Sequence, residues 1–208
     1  WFYVQDISSM MVAETAKPEK NQYIIDVCAA PGGKSSHLAE CMNGTGMEDA
    51  RDLTEYKIAL IEENIERHGL SNMKAVQMDA TIYDENSKEK ADILICDLPC
   101  SGLGVMGKKT DIRYKMTPEK QNELVKLQRQ ILKTVACYVK FGGTLVYSTC
   151  TIHKEENEKQ VEWFLKEHTE FELISMQQMF PSEEYYDGFF IAKLVRKNIN
   201  EDMTWNIK

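Results

Sequence analysis

The chain has 208 residues, with 25 Lys and Arg against 33 Asp and Glu, a formal net charge of −8. That length supports one domain with its own core, and the acidic balance argues against unspecific binding to phosphate backbones. No apolar run approaches the ~20 residues a membrane helix needs, no secretory signal is evident, and no two cysteines form the C-x-x-C pair of a zinc ribbon.

Trp1 stands where an initiator methionine would, which reads as a fragment whose N-terminal portion is absent. Residues 1–5 are expected to be extended. Ser8 or Ser9 is placed to cap a helix over 10–16, with Pro18 beyond it. Residues 23–28, YIIDVC, form a short apolar run with one carboxylate, Asp26, and read as a buried strand. Ala29 and Ala30 are small, Pro31 fixes its own φ, and Gly32 and Gly33 permit a sharp turn into a helix.

In an open α/β sheet such a turn places a ligand beyond the strand's carboxyl end, against unpaired helix N–H groups. The turn lacks G-x-G-x-x-G, so the dinucleotide fingerprint fails. Gly33-Lys34-Ser35 supplies the end of a phosphate loop, but Cys28 holds the leading glycine's place. A ligand without phosphates fits better.

Residues 47–52 form a second strand that carries Glu48, Asp49 and Arg51. Thr54 caps a helix with Ile58, Ile61 and Ile65 on one face, and Gly69 stops it. A third strand covers 73–79, and 84–90 is a short helix or loop. Residues 91–97, ADILICD, are a continuous buried strand, followed by a long glycine-bearing loop over 98–114; loops of that length are usually functional. Thr117 and Pro118 open the longest helix, whose apolar stripe is Leu124, Leu127, Ile131, Val135 and Val139, with Gly142-Gly143 as its end. A fifth strand covers 144–148. An amphipathic helix over 153–168 turns Val161, Phe164 and Leu165 inward. Strands at 171–176 and 188–196 are too close for a helical crossover and should pair antiparallel. The order predicts an α/β domain over 1–208: a Rossmann-like, doubly wound, mostly parallel seven-stranded sheet with one antiparallel strand.

The strand ends carry the chemistry. Asp52 lies about twenty residues past the glycine turn, where a carboxylate accepts ribose hydroxyl hydrogen bonds. Asp79 and Asp97 end the third and fourth strands, and together the three acids favour a nucleoside-type cofactor. Cys100 and Cys150 follow the fourth and fifth strands. Neighbouring parallel strands are ~5 Å apart, so both sulfurs can reach one small molecule. A working thiolate needs help such as the Lys34 ammonium or backbone N–H groups. Alternatively both are small packing residues, as most buried cysteines are. The six cysteines, several inside strand-like runs, fit a reducing cytoplasm. His37 and Cys41 share a helix face, but such a pair is usually structural, and no metal site is expected.

The segments DVCAAPGGK (26–34), DLPCSGLG (97–104) and YSTCT (147–151) resemble the RNA cytosine-5 methyltransferases of the NOL1/NOP2/Sun family, most closely the bacterial Sun/Fmu-type 16S rRNA enzymes. VQDISS (4–9) and DGFFIAKL (187–194) fit the same family, and GTGMEDARD (44–52) departs from its cleaner hydrophobic second strand. The resemblance implies a class I methyltransferase fold and S-adenosyl-L-methionine as cofactor. Cys28, Ala29, Ala30, Pro31, Gly32, Gly33 and Lys34 would line it, Asp52 would hold the ribose, Asp79 would lie by the adenine, and Asp97 would sit between cofactor and base. It implies Cys150 as nucleophile toward C6 of cytosine and Cys100 as the group assisting release. The substrate would be RNA, 16S rRNA first and tRNA as the alternative, acted on by a monomer. Target choice would rest with the absent N-terminal portion. Lys108, Lys109, Arg113 and Lys115 would meet RNA phosphates or form a solvated basic loop. Two other readings stay open: exchanged roles for the thiols, and a cofactor-binding ribosome-assembly module without turnover.

Overall fold

A computed structural model describes residues 5–181 and 187–198. The extended segment expected at 1–5 falls outside the described residues except for Gln5.

Seven strands form one sheet: β1 (Tyr23–Asp26), β2 (Met47–Asp52), β3 (Met73–Gln77), β4 (Ala91–Asp97), β5 (Val139–Thr149), β6 (Phe171–Met179) and β7 (Phe189–Arg196). Their order is β3-β2-β1-β4-β5-β7-β6. All neighbours are parallel except β7, which runs antiparallel to both β5 and β6. The direction of winding reverses between β1 and β4, and ligands of doubly wound sheets bind at that switch point.

Both faces of the centre are buried because β1 is apolar at Ile24 and Ile25 and β4 from Ile93 to Cys96; the one charged residue inside β4, Asp92, accepts from Tyr23 N at 2.7 Å and pairs with Lys140 at 2.8 Å. Ile93 and Ile95 pack with Ile24, Val12 and Leu38, under α1 (Ile7–Ala16) and α2 (Gly33–Cys41). Leu94 and Cys96 pack with Ile25, Ile131, Val135 and Phe164, under α5 (Pro118–Val135) and α6 (Glu158–Glu167). Between them in the chain lie α3 (Glu55–His68) and the short α4 (Ile112–Lys115). No helix among the described residues is long and apolar enough to cross a membrane.

The cap at Thr54, its partner at Thr117, the stop at Gly69 and the bounds of β2 and β4 fall where expected. Other boundaries move for identifiable reasons. Helix α1 starts three residues early because Asp6, not Ser8 or Ser9, accepts the Ser8 N–H at 2.9 Å. Residues 84–90 contain a single 3-10 turn, Glu85–Ser87. Gly142-Gly143 do not end α5: the helix stops at Val135, a 3-10 turn covers Ala136–Tyr138, and β5 already begins at Val139, opposite Ala91. Val139 suits both readings, since an apolar residue four past Val135 continues a helical stripe and equally starts a strand. Helix α6 starts at Glu158 rather than 153, because the side chain of Asn157 and the backbone and side chain of Glu156 serve the neighbouring loops.

The charged residues of β2 are accommodated on alternate faces. Asp49 accepts from Tyr23 Oη at 2.6 Å and pairs with Arg51 at 3.2 Å and Lys74 at 3.0 Å. Arg51 also donates to Ser87 Oγ at 2.8 Å. On the opposite face Glu48 is fully buried, and neither of its carboxylate oxygens has a hydrogen-bond partner among the described residues.

Candidate active site

Beyond Asp26 the chain turns through 27–32 into α2. Ala29 N donates to Arg51 O at 2.9 Å and Ala30 N to Asp52 Oδ2 at 3.0 Å, which pins the turn to β2. Gly32 stands at φ +108°, a conformation that side chains strain, and caps the helix. The result is a cleft of about 250 Å3 lined by Cys28, Ala29, Ala30, Pro31, Gly33, Lys34, Asp26 and Asp97, and closed by Gln5, Asp6 and Ser9. Gly33 and Lys34 open α2, and first-turn N–H groups have no intrahelical acceptor.

Asp26 is buried at the base of this cleft and accepts from Ser35 Oγ at 2.7 Å and Cys28 N at 3.1 Å. Burial, with Asp97 adding to it, pushes its carboxyl up to about 7 against the bonds from Ser35 and Cys28. Burial and the nearby Asp26, Asp52 and Asp97 raise the Cys28 thiol far above its ordinary value, so Cys28 remains a thiol that lines the cleft.

Asp97 lies at the cleft's other side. In register it stands beside Ser148 on β5, whose Oγ donates to Asp97 Oδ1 at 2.8 Å. Its second oxygen meets Lys34 Nζ at 3.0 Å. Burial alone would lower the Lys34 ammonium; the Asp97 carboxylate more than offsets this and holds it charged.

Because Asp97 and Ser148 are level, the loops that follow leave the sheet together. Cys100 and Cys150 thereby come to an Sγ–Sγ distance of 3.3 Å, both as free thiols. The close approach needs Gly104: its N–H donates to Cys150 O at 3.1 Å, its carbonyl accepts from Gly188 N at 2.9 Å, and a Cβ there would fall 2.0 Å from Gly188 O. The two thiols are unequal. The hydrogen bond from Cys100 lowers Cys150, burial and Asp97 oppose it, and Lys34 and Lys109 lower it further. Cys100 is raised well above its ordinary value by its bond to Cys150 and by burial, with the Glu156 carboxylate adding to both. Both Lys34 and Lys109 favour the thiolate at Cys150, against Asp97, whereas Glu156 disfavours it at Cys100, so Cys150 is the more readily ionised of the pair.

The other expected residues stand further out. Asp52 is buried and already accepts from Ala30 N, Leu53 N at 2.7 Å and Lys57 Nζ at 2.8 Å, so a ribose would take over the place of the half-exposed Lys57. Asp79 accepts from Thr81 N at 2.8 Å and Thr81 Oγ1 at 2.7 Å, closing the turn after β3. Neither lines the cleft. In the loop after β4, Lys108 is committed to Asp6 at 2.8 Å and Asp187 at 2.9 Å, and Lys115 to Asp111 at 2.7 Å. Lys109 and Arg113 have no acidic partner among the described residues.

Sequence reasoning passed over Asp26 and Ser148, and the buried polar residues Gln128, Glu156 and Asn157 behind the thiols. Asp26 carried a signal, as an ionisable group inside an apolar strand. So did Gln128, a polar residue within the span of the apolar stripe of α5.

A family model described as 16S rRNA methyltransferase RsmB/F matches residues 13–195. The chain is 39% identical over 212 residues to the probable ribosomal RNA small subunit methyltransferase B of Bacillus subtilis (strain 168), covering 93% of this chain and 47% of that protein. It is 35% identical over 206 residues to a tRNA (cytosine(72)-C(5))-methyltransferase of Pyrococcus horikoshii, covering 93% of this chain and 52% of that one. The crystal structure of NSun6 from Pyrococcus horikoshii with SFG superposes with a TM-score of 0.84 at 32% identity, covering 95% of this chain and 54% of that chain. The chain therefore spans about half the length of the curated relatives it matches. With the paired thiols, the Lys34–Asp97 bridge and the glycine turn all inside the matched span, the chain belongs to the RsmB/F family of 16S rRNA methyltransferases.

Proposed function

We propose that the chain is the catalytic part of an S-adenosyl-L-methionine-dependent RNA methyltransferase acting on C5 of a cytosine, in 16S rRNA, through a covalent bond between Cys150 and C6. The observation that supports this best is the 3.3 Å approach of Cys100 and Cys150 beside the Lys34–Asp97 bridge. The ligand SFG of the archaeal relative is an S-adenosylmethionine analogue, and the cleft's small residues, helix N-terminus and acids suit an amino acid bearing a nucleoside. Residues 28–34 and Asp97 would hold it, with Asp52 toward the ribose and Asp79 toward the adenine. Bound S-adenosyl-L-methionine supplies an electrophilic methyl group.

Cytosine C5 is a poor nucleophile. The Cys150 thiolate, favoured by Lys34 and Lys109, adds to C6, and the displaced π electrons make C5 enamine-like and able to take the methyl. Asp97, held by Ser148 and Lys34, would orient the ring by accepting from the cytosine amino group, while the Lys34 ammonium offsets the negative charge that builds on the ring. Loss of the C5 proton to a base then restores the C5–C6 bond and expels Cys150 as thiolate; the adjacent Cys100 sulfur assists this elimination. The target base must be unpaired or flipped out. Lys109 and Arg113 are the cations left to meet RNA phosphates. In the Lys109→Ala/Arg113→Ala protein, RNA affinity is expected to fall, with the log–log salt slope smaller by about 1–2. Filter binding across salt concentrations measures this, and an unchanged slope counts against the contact.

Incubation of the full-length protein with methyl-tritiated S-adenosyl-L-methionine and an unmodified 16S rRNA transcript tests the activity. Label recovered as 5-methylcytidine is expected; label in a tRNA transcript instead would move the substrate, and no label in any RNA would favour a binding module.

A further inference from the structure

The two residues before α6 each hold the residues that flank one cysteine, Glu156 together with Gln128 around Cys100 and Asn157 around Cys150. Glu156 is fully buried. Its Oε2 accepts from Ser101 N at 2.9 Å and from Gln128 Nε2 at 3.0 Å, and the same Gln128 amide donates to Pro99 O at 2.9 Å. The carbonyl before Cys100 and the N–H after it are therefore both fixed by one Glu156–Gln128 unit. Gln128 is itself held by Gln160 Nε2 at 3.0 Å. Asn157, also fully buried, treats Cys150 likewise: Thr149 Oγ1 donates to its Oδ1 at 2.6 Å, and its Nδ2 donates to Thr151 O at 3.0 Å. Ser101 and Thr151 hydroxyls close the brace at 2.7 Å.

We propose that Glu156 and Asn157 are positioning residues with separate duties, Glu156 (through Gln128) placing Cys100 for release and Asn157 placing Cys150 for attack. The proposal rests on the thiol roles above. A fully buried carboxyl whose one nearby ring nitrogen, His153 Nδ1 at 3.4 Å from Oε1, makes no hydrogen bond to it is costly, and an apolar core would hold α6 at least as well. What apolar packing cannot do is fix named polar groups on both sides of a reacting sulfur, and an error of ~1 Å there can cost up to ~100-fold in rate.

The test measures, in the full-length protein with an unmodified 16S rRNA transcript, the fraction trapped as covalent RNA adduct alongside methyl transfer. Gln128→Met removes the donor to Pro99 O and is expected to raise the adduct fraction roughly tenfold, with the first methyl transfer little changed. Glu156→Gln keeps an acceptor oxygen and is expected to stay near the parent protein. Asn157→Ala, or Thr149→Val should the first not fold, is expected to slow adduct formation and methyl transfer together, without accumulation. Equal loss of both readouts in Gln128→Met and the Cys150-side variants would overturn the proposal. A Cys100→Ala control separates the levels: if it accumulates adduct and Gln128→Met does not, the brace falls; if Cys100→Ala itself accumulates none, the thiol roles fall.

Discussion

The Cys150→Ala protein is expected to lose methyl transfer by about 10⁴-fold or more while binding S-adenosyl-L-methionine as before. The two effects separate because Cys150 is absent from the cleft lining, whereas Lys34 and Asp97 border both the cleft and the thiol. Without the sulfur there is no C6 adduct and C5 stays unreactive. Removing Lys34 instead should strike both properties, since Asp97 would lose the ammonium that neutralises it. Radiolabel transfer and calorimetry on one preparation check this. Unchanged turnover would remove Cys150 from the mechanism, and lost cofactor affinity would show that the substitution disturbs the glycine turn.

A second large effect concerns stability. Glu48→Met is expected to raise unfolding free energy at pH 7 by roughly 1–3 kcal/mol, the usual cost of a buried polar group without a partner. The native carboxyl is raised well above its ordinary 4.5, by burial first and then by Asp26, with the nearby Ser35 hydroxyl opposing both. The sign follows from linkage. Below about pH 4 both native and unfolded chains carry the proton, and no penalty arises. Above it the unfolded chain releases a proton that the native chain retains, so stability falls as pH rises. Asp26 adds to the fall between its ordinary 3.8 and its native value of about 7. Asp6, lowered to about 2 by its bonds from Lys108 and Ser8 against burial, acts oppositely and only in strong acid. Urea titrations between pH 4.5 and 7 should therefore show declining stability, less steep in Glu48→Met. Parallel slopes for the two proteins would mean that Glu48 is ionised in the native chain.

These residues also mark what a sequence reveals and what it hides. Local signals carried far. The Thr54 and Thr117 caps, the Gly69 stop and the apolar run of β4 each depend on neighbours within a few positions, and each stands where the pattern put it, while β1 stops at Asp26, two residues before the end of its expected run at Cys28. The meeting of Cys100 and Cys150 was legible because parallel register alone sets two loop origins level. Pairings across the chain were not. Lys108 reads as a free basic residue until Asp6 and Asp187 arrive from opposite ends of the sequence. Glu156 and Asn157 read as a helix's wet face until the loops they hold are folded around them. The charges of β2 read as a poor strand, because Asp49 and Arg51 find their partners in β1, β3 and the turn at Ser87.

The central claim is that Cys150 bonds the base and Cys100 frees it. The most direct measurement is peptide mapping by mass spectrometry of the Cys100→Ala protein after reaction with a 16S rRNA transcript and S-adenosyl-L-methionine. A methylated cytidine attached to the peptide containing Cys150 is the predicted result. An adduct that persists in Cys150→Ser and maps to Cys100 would contradict it.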